Sequence, residues 1–138
     1  MKSRLLAVLV GLGVLITTTP LSAHHSTTMF DHSKSYTISG TVVELRWVNP
    51  HVSLSVNGTL KDSEEAGVWV MEMTSPGNLL RAGGWSRSTV KPGEKVQVEF
   101  SPLRDTSLKG GALKKLTIAD TGQVLTANIR AQEMPGLE

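Results

Sequence analysis

The chain has no cysteine, few aromatic side chains and none of the short motifs that mark the common enzyme classes. Without cysteine there is no disulfide and no thiol nucleophile, so stability rests on packing. With three Trp, two Phe and one Tyr, each ring carries a large share of any core or ligand surface. Gly-x-Ser-x-Gly, a glycine-rich phosphate loop and His-Glu-x-x-His are all missing. The sequence leans away from an enzyme, and an oxidase built on a copper chelate is the one catalytic idea it leaves.

Charge of one sign is lacking too. The formal net charge is +2 over the whole chain, but Lys2 and Arg4 belong to an N-terminal segment that reads as a cleaved leader. They form its positive start, Leu5 to Ile16 its apolar run, and Thr17 to Ala23 lead to a small residue suited to cleavage, the pattern of a secretory signal peptide. Twelve apolar residues are too few to span a bilayer, which takes about 20, and no second apolar run follows, so no membrane span is expected in the mature chain. A cut after Ala23 leaves 115 residues with 12 basic and 12 acidic side chains. Nucleic-acid binding normally needs a basic surplus, so that class of partner is excluded. The expected product is one domain in the periplasm or secreted.

The most strand-like runs meet at Trp47-Val48-Asn49-Pro50-His51. Before it, Tyr36 to Leu45 is rich in β-branched and aromatic residues, with Gly40 read as a bulge or bend. After it, Val52, Leu54 and Val56 alternate with Ser53, Ser55 and Asn57, the period of a half-buried strand. Pro50 turns the corner at the strand's start, and alternation puts His51 on the polar face with Ser53. Asn57-Gly58 signals a tight turn, followed by the charged loop Lys61 to Glu65. Gly67 to Met73 is a third strand. Ser75 caps and Pro76 opens a short helix that stops at Gly83-Gly84, and Trp85 plugs the core. Lys91-Pro92-Gly93-Glu94 is a type II turn. Strand four holds Val96, Val98 and Phe100, strand five spans 112–118, and a short sixth lies at Val124-Leu125.

Three strands, a short helix, then further strands is the order of the OB-fold. The expected fold is therefore all-β, a small OB-like antiparallel barrel of five or six strands with one helix between strands three and four. The division is 1–23 signal peptide, 24–35 flexible histidine-containing leader unless something ties it down, 36–125 barrel, and 126–138 irregular tail.

Ala23-His24-His25-Ser26, Phe30-Asp31, Gly40-Thr41-Val42, Trp47-Val48-Asn49-Pro50-His51, Ser75-Pro76-Gly77-Asn78 and Gly84-Trp85 together resemble an exported bacterial family, the domain of unknown function 6152. The likeness covers about residues 23 to 122. It implies export and a β-barrel, and the family has no assigned activity to carry over. Met71-Glu72-Met73 stands where relatives often carry aromatics, and the tail is longer than usual.

Three of the four histidines, His24, His25 and His32, crowd the mature start. Cleavage after Ala23 would let the amine and Nδ1 of His24 chelate one metal ion. A third imidazole would complete a nitrogen set suited to Cu(II), with His51 the candidate and His25 its substitute, and Asp31 a supporting oxygen. The plainer reading of His51 is an imidazole hydrogen-bonded to Asn49 or a backbone carbonyl. Met71 and Met73 share a face and suit Cu(I), although beside Trp69 they read first as core filling. The alternative to a metal is an OB-like module in which Trp47, Asn49 and Trp69 bind a glycan, a peptide or a protein partner of the cell envelope.

Overall fold

The computed structural model describes residues 29–127, apart from position 83. The expected signal peptide, His24, His25 and the tail beyond Ala127 lie outside the described residues. Six strands and one helix follow in the order β1 (Tyr36–Arg46), β2 (Ser53–Leu60), β3 (Ala66–Glu72), α1 (Pro76–Ala82), β4 (Lys95–Pro102), β5 (Gly110–Ile118) and β6 (Val124–Thr126). The sheet runs β3-β2-β1-β4-β5-β6, and β3 pairs again with β5. The first five strands thus close into a barrel with the OB-fold order, and β6 extends the β5 edge.

The barrel is not wholly antiparallel. Val70 to Glu72 pair with Gly110 to Ala112 in parallel, while every other pairing is antiparallel. A closed ring of five strands cannot alternate direction throughout, because an odd number leaves one neighbouring pair pointing the same way.

Alternation decides what lies inside. Ile38, Val42, Leu54, Val56, Trp69, Met71, Val96, Val98, Phe100, Leu113, Leu116 and Ile118 form one buried cluster, which Leu79 of α1 and Trp85 also join. Ser75 Oγ accepts a hydrogen bond from the Asn78 amide at 3.3 Å, the expected cap on α1. The Trp85 indole donates to the Thr126 carbonyl at 2.9 Å, fastening the plug to β6. Gly93, at φ +91°, makes the turn into β4.

Two glycine readings need correction. The bulge in β1 falls between Val42 and Glu44 and not at Gly40, and Asn57-Gly58 lies inside β2, opposite Thr41 and Gly40. The β2–β3 hairpin instead turns at 61–65, where Asp62 takes φ 62°. Gly40 and Gly58 are small because their backbones approach closely. A Cβ on Gly40 would stand 2.2 Å from the Asn57 carbonyl oxygen, and one on Gly58 2.6 Å from that of Ser39. Gly40→Ala is therefore expected to cost about 1–3 kcal/mol through overpacking, measured by urea unfolding. A loss below about 0.5 kcal/mol, the ordinary surface range, would contradict this close approach.

Candidate functional site

The corner between β1 and β2 contains a cis peptide bond at Asn49-Pro50. Beyond it the ladder with β3 starts early: the Val52 amide donates to the Thr74 carbonyl at 3.0 Å and the Met73 amide to the Val52 carbonyl at 2.8 Å. Val52 is thereby sealed in the core, and His51 stands at the mouth of the ladder. Its Nδ1 meets Glu72 Oε1. Among the described residues His51 thus has a carboxylate on the neighbouring strand as a partner. On the two sides of β2, Glu44 faces Ser55 and Glu72 faces Ser53.

This contact sets the chemistry of the ring. A carboxylate facing Nδ1 accepts a proton there, so in the neutral imidazole the lone pair belongs to Nε2. Both side chains are about a quarter exposed, 24% for His51 and 26% for Glu72. A histidine whose one nitrogen donates to a carboxylate while the other carries the lone pair is the arrangement that metal-binding histidines use.

The later part of the leader is tied down. The Asp31 amide donates to the Pro102 carbonyl at 2.8 Å and the Arg104 amide to the Met29 carbonyl at 2.9 Å. Between them Phe30 bridges Leu103 and is buried with Ala112 and Leu103 in a small cluster separate from the barrel core. Lys34 pairs with Asp31 at 3.3 Å, Lys114 donates to the Lys34 carbonyl at 3.1 Å, and the Ser35 hydroxyl donates to Glu99 at 2.9 Å. His32 packs edge-on to Phe30, 6.0 Å between centroids, and its Nε2 and the Ser101 hydroxyl are buried without hydrogen-bond partners. Ala112, beneath Phe30, is the register partner of Glu72.

The other candidates are scattered. Asn49 is exposed, and Trp47 is partly buried against the main core. Trp69 is buried, with its indole donating to the Gly58 carbonyl at 3.2 Å. It also lines a cleft of about 230 Å³ with Tyr36, Leu60, Glu65, Leu103 and Leu108, and Lys109 Nζ stands 5.4 Å from the centre of its ring. Neither Trp47 nor Asn49 reaches that cleft. Met71 and Met73 are fully buried in the core. Among the described residues no group of three His, Asp or Glu is close enough to hold a metal ion, so His51 and Glu72 could form only part of one.

The model of a family of unknown function, DUF6152, matches residues 12–112. The chain belongs to that family. No curated protein and no solved structure matches it, so the family membership brings no chemistry with it and the site must be read from its own residues.

Two expectations follow from this geometry. Ring ¹⁵N shifts of the neutral His51 ring should report the Nδ1–H tautomer, and Glu72→Ala should return the ring to the tautomer mixture of a solvated histidine. An Nε2–H form in the parent would contradict the pairing. The second concerns acid. The Ser33 hydroxyl holds Asp31 below the usual carboxylate range, and Lys115, with Ser35, does the same for Glu99. Stabilisation from both is whole above the ordinary carboxylate pKa and is lost as pH falls through the lowered one. Amide signals of 29–35 should therefore lose protection below about pH 4 before those of the barrel strands, whereas simultaneous loss would contradict a separately held leader.

Proposed function

We propose that the chain is an exported binding or accessory protein of the cell envelope that holds copper through the amine and Nδ1 of His24 together with His51, with His25 able to replace the latter. The observation that carries this reading is the His51–Glu72 pair, which gives an imidazole at the barrel rim one oriented nitrogen. The residues fit a nitrogen-bound Cu(II), and copper would supply an electrophilic or redox centre there. Glu72 fixes the ring, and the ladder through Val52 fixes its backbone. Export and cleavage after Ala23 are parts of the proposal, since they create the amine.

A second reading rests on a different observation, the cleft beside Trp69, where an apolar wall of Leu60, Leu103 and Leu108 with the rings of Tyr36 and Trp69 suits a glycan or peptide of the envelope. The test separates them. Titration of Cu(II) into the mature protein should give one equivalent bound, weakened at least tenfold by His51→Ala. An affinity unmoved by that change overturns the copper site. Indole fluorescence changed by an oligosaccharide or peptide in the presence of a chelator would favour the cleft.

A further inference from the structure

We infer that the groove across the outer faces of β1, β4 and β5 is a binding site for an acidic saccharide, in which Lys95 takes the ligand's carboxylate and the hydroxyl and amide groups around it take the sugar hydroxyls. The groove shares no residue with the His51–Glu72 pair or with the cleft beside Trp69, so it stands whether or not the chain binds copper.

Register builds the groove. Ser39 of β1 pairs with Gln97 of β4, and Gln97 with Thr117 of β5, which sets three polar side chains in one row across the sheet, about 10 Å from end to end. In the next row Thr41 pairs with Lys95, and the Ala119 amide donates to the Lys95 carbonyl at 2.9 Å. Gly40 and Ala119 add no side chain larger than a methyl, which leaves room between the rows. The cavity measures about 570 Å³, within the roughly 300–1,000 Å³ of small-molecule sites.

Unpaired polar groups set this groove apart from the rest of the face. In the row beyond Gln97, Glu99 pairs across the strands with Lys115, and its carboxylate is held by Lys115 at 3.0 Å and by the Ser35 hydroxyl at 2.9 Å. The side chains of Ser39, Thr41, Lys95, Gln97 and Thr117 make no hydrogen bond or ion pair among the described residues. Their chemistry specifies the ligand. Hydroxyls and a carboxamide can each donate and accept, which matches the hydroxyls of a sugar. Lys95 is the one charged residue of the lining and no carboxylate joins it, since its chain neighbour Glu94 accepts from the Lys91 amide at 2.9 Å. An acid group on the ligand therefore gains a partner there. No aromatic ring lines the groove, so it offers nothing for a nucleobase to stack on.

The experiment is isothermal titration of a short galacturonic acid oligomer into the protein at neutral pH and low salt, with a chelator present. Binding should saturate, and Lys95→Gln should weaken it at least about tenfold, as the loss of a charge-assisted hydrogen bond does. Lys95→Arg should restore most of the affinity. A galactose oligomer of the same length should bind the parent as weakly as the acidic oligomer binds Lys95→Gln, and should be indifferent to that substitution. Lys95 is exposed, so these variants should keep the parent's unfolding midpoint. Indole fluorescence should stay unchanged, because no Trp lines the groove. No saturable binding, an affinity unmoved by Lys95→Gln, or equal affinity for the neutral oligomer overturns the site. Binding that changes the indole signal and survives Lys95→Gln places the ligand in the cleft beside Trp69 and overturns it as well.

Discussion

The parallel pairing of β3 with β5 is the constraint from which the other features follow. Five strands close only if one pair runs in the same direction, and closure requires the backbone of β5 to press against its neighbours. Gly110 and Gly111 permit this: a Cβ on the first would lie 2.4 Å from the Val70 carbonyl oxygen, and one on the second 2.1 Å from that of Ser101. The joint shuts the core, and on its outer side it leaves a small-residue surface at Gly110 and Ala112. Phe30 uses that surface, and Glu72 stands beside it. The same few residues therefore close the barrel, seat the leader and orient His51.

Much of the fold could be read from the chain because the barrel's signals are local. The alternation in Val52-Ser53-Leu54-Ser55-Val56 and in Val96-Gln97-Val98-Glu99-Phe100 announces strands with one buried face. Ser75-Pro76 and Gly84 bracket the helix. What misled was the double meaning of glycine. In Asn57-Gly58 the glycine serves a close strand crossing with Gly40, and reading it as a turn hides the true register of β2 against β3. That register, Ser53 opposite Glu72, is the information that would have matched His51 with its carboxylate.

The site was less legible than the fold because it depends on contacts far apart in sequence. His51 and Glu72 are 21 residues apart, and neither carries a spacing motif. Both are outward-facing on neighbouring strands, which was available from alternation alone, but the pairing needs the register. Phe30 offered still less, since an aromatic in a polar leader has no periodicity to explain it. Its meaning emerges only once Ala112 is seen with a bare outer face. Trp85, by contrast, was readable as a core plug, since large rings in a chain poor in aromatics are needed to fill a barrel.

The central claim is that a leader and a barrel rim make one nitrogen site, and electron paramagnetic resonance of the mature protein carrying one equivalent of Cu(II) tests it most directly. The spectrum should show three nitrogen ligands, and should differ from that of a free peptide of the sequence His24 to Met29 under the same conditions. Identical spectra for the protein and the peptide would mean that the barrel contributes no ligand, and would contradict the account.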